Sequence, residues 1–208
     1  MTTDDVDLQS AIAAEFLALA DTLDAMDESR WDTPSLCEGW RVREVIAHAT
    51  MAARYPEAEF MAKLQEHGFD FTALSNAIAH EDAQLPTAQL VSNLRSKTMH
   101  EWVPPGGGYH GALNHVVIHG LDATISLGLP HRGPERNLRT ILDDLTRGGG
   151  HENFGVSIDG RRLEANDLDW AFGSGASLSG SGQELAVTLC GRALPDGRLQ
   201  GTPLTVRH

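Results

Sequence analysis

A chain of 208 residues with 41% hydrophobic content is long enough for one large domain, or an ordinary domain plus a small one, and too apolar to be disordered. Its formal net charge of −13 excludes sequence-independent binding to a phosphate backbone. No run reaches the roughly 18 apolar residues of a membrane span, Met1-Thr2-Thr3-Asp4-Asp5 has no secretory pattern, and Cys37 and Cys190 lie too far apart to suggest a disulfide framework, so the expected compartment is the reducing cytoplasm.

The first two-thirds of the chain read as helical. Leu8, Ile12, Phe16, Leu19, Leu23 and Met26 recur at spacings of three and four, which predicts one helix over 4–28. Residues 31–40 break the period with Pro34 and Gly39 and predict a loop pinned by Trp31, Leu36 and Trp40. The period resumes at Val42, Val45, Ile46 and Ala49, and a helix is expected from Arg41 to about Gln65, kinked or interrupted at Pro56 and closed by His67-Gly68. A short helix is expected near 72–80. Another should start from Thr87 as N-cap and run to about Trp102, where Pro104-Pro105-Gly106-Gly107-Gly108 stops it. A further helix is expected over 111–127, then a short one over 138–147 ending at Gly148-Gly149-Gly150.

Beyond residue 150 the texture changes. Phe154–Ile158 and Arg162–Ala165 flank Asp159-Gly160, which predicts a hairpin. Asp167–Phe172 extends the second strand or begins a third. Ser181-Gly182-Gln183-Glu184 is a capping box ahead of a helix that stops at Gly191, and Thr202–Val206 predicts a closing strand. The expected fold is mainly α: a helical bundle over 1–150 with a small α+β domain over 151–208.

Ten histidines are the oddest feature of the composition, and His100, His110, His115 and His119 fall within about twenty positions. On the helix over 111–127, Leu113, Val116, Val117, Ile118, Leu121 and Ile125 surround most of the circumference, so the helix should be buried. At about 100° per residue, His115, His119, Asp122 and Ser126 fall within an arc of about 60°. His115 and His119, at i and i+4, can converge on one divalent cation, which needs at least one further ligand. His48 ranks first for that place because Val45 and Ala52 put it beside a buried face. His100 and His110 are its rivals. Asp122 either pairs with an arginine or accepts a hydrogen bond that orients an imidazole. Val116 follows His115 where a zincin needs a glutamate, which excludes that protease mechanism. The remaining histidines, His67, His80, His131, His151 and His208, read as loop or terminal residues.

With these residues in view, the chain resembles the mycothiol-dependent maleylpyruvate isomerase family of the DinB-like metalloenzyme superfamily. The resemblance lies in Trp31-x-x-Pro34-x-x-Cys37-x-Gly39-Trp40-x-Val42-x-x-Val45-x-x-His48, in His115-x-x-x-His119-Gly120-Leu121-Asp122, and in Leu163-x-Ala165-x-Asp167-Leu168-Asp169-Trp170 with Leu185 to Gly191-Arg192. It implies a DinB-like four-helix bundle with a sterol-carrier-like C-terminal domain. It also implies a divalent metal, zinc above all, held by His48, His115 and His119, with mycothiol as thiol cosubstrate and an electrophilic substrate. The family tends to carry glutamate where this chain has His115, so this set is more cationic by one unit and favours a bound anion. Such a metal would activate the thiolate of mycothiol. Arg192 is expected to hold an anionic group of the substrate, or else to satisfy terminal helix carbonyls. Tyr109 and His110, in the loop before the ligand helix, are expected to line the pocket mouth. Trp102 and Trp170 are expected as core or interdomain anchors, and neither cysteine is expected to do chemistry. A DinB-like hydrolase and a non-enzymatic metal- and ligand-binding protein are the competing readings.

Overall fold

The computed structural model describes residues 2–206. It is mainly helical with a small C-terminal sheet region. It divides into two compact units, Met1–Arg132 and Gly133–His208. The division falls ahead of the expected one at 150, because the helix following Arg132 packs with the C-terminal elements.

In the first unit, α1 (Thr3–Asp24) starts at a capping box, with Asp5 N donating to Thr2 Oγ1 and Thr2 N to the Asp5 carboxylate. It buries Ile12, Phe16, Leu19 and Leu23. A short 3-10 turn at Glu28–Asp32 seats Trp31, which is only 1% exposed. The loop that follows is closed by Ser35 N to Trp40 O at 2.9 Å and Trp40 N to Cys37 O at 3.1 Å.

The expected long second helix is broken into separate pieces. α2 (Val42–Ala49) ends at Thr50, a tight turn covers Met51–Ala53, and α3 (Glu57–Glu66) begins after Pro56. Pro56 has no N–H to give a continuing helix, but it suits the residue before a new one. α4 (Phe71–Asp82) follows, capped by Asp70 Oδ1 accepting from Ala73 N at 2.9 Å. Met51, Leu74 and Ile78 form a small apolar cluster covered by Tyr55, Phe60 and Leu64.

The helix expected over 87–102 is also two: α5 (Thr87–Leu94) and α6 (Lys97–Glu101). Ser96 intervenes because its hydroxyl accepts from Met99 N at 3.3 Å and restarts the helix as an N-cap. Thr87 is the first helical residue rather than the cap, and its hydroxyl donates to Glu28 at 2.6 Å. α7 (Gly108–Ser126) packs against α1 and α2, and α5 packs on both of those. Leu90, Leu94, Leu113, Val117 and Leu121 fill the space between, each side chain contributing about 1.5–3 kcal/mol by burial.

In the second unit, α8 (Glu135–Asp144) runs through a widened turn at Leu145–Gly149 into α9 (Gly150–Phe154). The glycine run therefore kinks the helix instead of ending it. The expected hairpin about Asp159-Gly160 does not form. β1 (Val156–Ser157) pairs with β6 (Thr205–Val206), the closing strand. β2 (Arg161–Ala165) has both edges taken, by β3 (Ala171–Gly173) antiparallel and by β4 (Ala176–Gly180) parallel, so it has no edge for β1. β5 (Gln200–Gly201) completes the order β3-β2-β4-β5. Gly175, at φ +117°, sits so close to the Gly160 carbonyl that a Cβ would collide with it. α10 (Gly182–Leu189) starts at the predicted capping box of Ser181 and Glu184 and packs on β2, β4 and α8.

Candidate functional site

Three imidazoles meet where α2 faces α7. His48 stands on the last turn of α2, among Val45, Ile46 and Ala49, which are buried in the core. His115 and His119 stand one turn apart on α7. One ring nitrogen from each of the three lies within 4.8 Å of the other two. Ring centroids are 5.2 Å apart for His48 and His115, 4.7 Å for His48 and His119, and 4.9 Å for His115 and His119. His48 is 7% exposed and the other two are half-buried.

Each ring is held through one nitrogen. His48 Nδ1 is 2.9 Å from the Ser75 hydroxyl on α4. His115 Nε2 lies 3.3 Å from the Ala49 carbonyl, and His119 Nδ1 lies 3.1 Å from Asp122 Oδ2. A carbonyl and a carboxylate can only accept, so His115 donates from Nε2 and His119 from Nδ1. That leaves a lone pair on Nδ1 of His115 and on Nε2 of His119. Burial, then the charge of neighbouring His119, pushes the His115 pKa down to about 3, against the carbonyl of Ala49, which favours the proton. His115 is therefore a neutral imidazole at neutral pH.

Asp122 is completely buried. Its Oδ2 accepts from the Cys37 thiol at 3.0 Å as well as from His119. The loop carrying Cys37 is tied to the same residue by Leu36 N to Asp122 O at 3.2 Å. Two tryptophans flank the imidazoles. Trp40 lies 5.0 Å from the His48 ring, with its Nε1 donating to Asn76 at 3.0 Å. Trp102, expected as an anchor, is half-buried with its ring 5.2 Å from that of His115.

The rivals for the third histidine lie elsewhere. His100 stacks on Phe16 and has Nε2 3.0 Å from the Leu94 carbonyl. His110 is exposed on the first turn of α7, beside half-buried Tyr109. Both residues belong to the helix and not to the preceding loop, because Gly107 serves as its N-cap and Gly108 already has its place in the first turn. Arg192 belongs to the second unit, just past α10, where its guanidinium donates to the Cys190 carbonyl at 3.4 Å. Trp170 donates to Asp143 at 2.9 Å within that unit. Of the remaining histidines, His80 and His151 stand on α4 and α9 rather than in loops, and His131 lies in a loop with its Nε2 2.8 Å from buried Glu15. His208 lies outside the described residues.

Ser75, the Ala49 carbonyl and Trp40 escaped the sequence reading as neighbours of the imidazoles. Trp40 and Cys37 lie within the first motif, which was the available signal. Ser75 is an ordinary helical serine and offered none.

Fold and geometry together define a mainly helical protein with a partly buried three-imidazole cluster. The resemblance to the mycothiol-dependent maleylpyruvate isomerase family is borne out: residues 12–100 match the family model for the mycothiol maleylpyruvate isomerase N-terminal domain. Two solved structures share the fold over nearly the whole chain. One is a histidine-to-alanine mutant of the mycothiol-dependent maleylpyruvate isomerase, 17% identical, at a TM-score of 0.58, covering 97% of this chain and 96% of that one. The other is the mycothiol-dependent maleylpyruvate isomerase, 20% identical, at a TM-score of 0.53, with 97% of this chain and 96% of that one covered. No curated protein matches the sequence. No helix among the described residues is long and apolar enough to cross a membrane.

Proposed function

We propose that this protein is a metal-dependent thiol transferase or isomerase that uses mycothiol as its thiol cosubstrate. The observation that carries the reading is the convergence of His48, His115 and His119, with one ring nitrogen from each inside 4.8 Å. The donor set fits a divalent cation, zinc first: imidazoles suit it, and Ser75, the Ala49 carbonyl and Asp122 engage the opposite ring nitrogens as metal-ligating histidines require. Three protein ligands would leave a coordination position for a substrate, as a catalytic site rather than a structural one requires. When bound, such a cation lowers the pKa of a thiol so that it is thiolate near neutral pH.

The chain's own residues prepare that chemistry. Burial keeps His115 uncharged and so ready to donate a lone pair. Asp122 holds the proton of His119 on Nδ1, which aims the other nitrogen at the cluster. Trp40 and Trp102 place apolar ring surface beside His48 and His115, which is proposed to limit the access of water there. Tyr109 and His110, on the first turn of α7, are proposed to contact the cosubstrate. Arg192 is proposed to bind an anionic group of the conjugate. Cys37 and Cys190 remain thiols, which suits a reducing cytoplasm.

The test is isomerisation of maleylpyruvate, with mycothiol present or omitted, before and after chelation and reloading with zinc. Turnover that needs both thiol and metal supports the proposal. Hydrolytic turnover without thiol would replace it with the hydrolase reading, and ligand binding without turnover would make the protein a binding protein.

A further inference from the structure

His119 faces two groups of ligating atoms. One is the histidine set. The other is Cys37 and Asp122, whose thiol sulfur and carboxylate lie, with a nitrogen of His119, within 4.8 Å of one another. The contacts inside this second group are short: Sγ of Cys37 is 3.0 Å from Asp122 Oδ2, and Nδ1 of His119 is 3.1 Å from the same oxygen. Its parts are held in advance. The Cys37 loop is fixed to α7 by Leu36 N on the Asp122 carbonyl, and the Ser35 hydroxyl accepts from Cys37 N at 3.1 Å. Asp122 is fully buried, while Cys37 is half-buried and so open to a diffusing ion.

We infer that Cys37, His119 and Asp122 form a second seat for a soft divalent cation, distinct from the three-histidine set and sharing only His119 with it. Charge favours this. A thiolate and a carboxylate carry two negative charges, the imidazole none, and a divalent cation cancels them, so a neutral assembly replaces a buried carboxylate. Sulfur selects thiophilic ions such as cadmium and zinc over magnesium or calcium. The proton count is definite. Cys37 releases its thiol proton to solvent as its sulfur bonds the cation. The proton on Nδ1 of His119 moves to Nε2 as Nδ1 bonds the cation, so the ring stays neutral. With Nε2 protonated, His119 no longer has a lone pair for the histidine set. The two seats are therefore exclusive, and a soft ion in excess would displace the ion held by His48, His115 and His119.

The probe is cadmium alone, added to metal-free full-length protein and read by the ultraviolet thiolate-to-cadmium charge-transfer band. A double variant, His48→Ala with His115→Ala, removes the first seat and keeps the second. It should develop the band to one equivalent, with one proton released per ion. Adding Cys37→Ser should abolish the band, and adding Cys190→Ser should leave it intact. Absence of the band in a double variant of native helical content would overturn the inference, as would a band that survives Cys37→Ser. If the double variant does not fold, His48→Gln with His115→Gln, which keeps side-chain volume while removing the first seat, takes its place in the same titration. Metal retained by the histidine set in Cys37→Ser protein separates failure of this seat from failure of the proposed function.

Discussion

Replacing Ser75 with alanine removes the hydroxyl that lies 2.9 Å from His48 Nδ1 and changes no proposed ligand. Ser75 is buried on α4, so no water replaces the hydroxyl readily, and His48 itself is 7% exposed. An outer partner of this kind is worth about 10–100-fold in metal affinity, or roughly 1.4–2.7 kcal/mol. Loss of the buried hydrogen bond also costs about 1–3 kcal/mol of stability in the metal-free protein. The assay is zinc competition against a chromophoric chelator, alongside a thermal melt without metal. Ser75→Ala should weaken zinc while the helical signal stays native, and His48→Ala should weaken it much further. A folded Ser75→Ala protein that binds zinc as tightly as the parent would refute the claim that Ser75 orients a ligand.

The metal-free protein should lose stability as pH falls. His115 is held to about 3 in the fold and takes its proton near 6.5 when unfolded, so between those values the unfolded chain binds protons that the folded chain does not. The loss is up to about 1.4 kcal/mol per pH unit; above 6.5 it vanishes. A urea series from pH 8 to pH 4 should show this slope, and His115→Gln should flatten it. Trp31→Ala should cost about 3–5 kcal/mol by emptying a site 1% exposed, seen as a lower urea midpoint. Gly175→Ala, at φ +117° and against the Gly160 carbonyl, should cost the second unit about 1–3 kcal/mol, read as faster tryptic cleavage between residues 156 and 206.

The sequence carried the site further than it carried the strands. His115 and His119 were legible because i, i+4 spacing fixes their common face once the helix is recognised. His48 was legible because the apolar positions around it define a buried stripe on α2. Ser75, by contrast, meets His48 only through the packing of α4 on α2, and no local pattern records that packing. Asp122 was visible as a polar residue on a buried helix, yet its second partner, Cys37, comes from a loop 85 positions away. The helices were legible as elements but too long, since apolar periodicity runs on through Ser96 and the residues around Pro56, where backbone chemistry breaks the hydrogen-bond ladder. The strands misled for a different reason. Asp159-Gly160 is a valid turn signal, but pairing is decided by which edges are open, and β2 gives both of its edges to β3 and β4.

The most direct measurement is the electronic spectrum of Cys37→Ser protein loaded with cobalt in place of zinc and titrated with mycothiol. The variant removes the one cysteine beside the imidazoles, so any thiolate band comes from the cosubstrate. A new thiolate-to-cobalt charge-transfer band should appear, saturate at one mycothiol per cobalt and be lost in His48→Ala, as the proposed activation of mycothiol at the histidine set requires. Cobalt bound in tetrahedral form with a spectrum unchanged by mycothiol would contradict it.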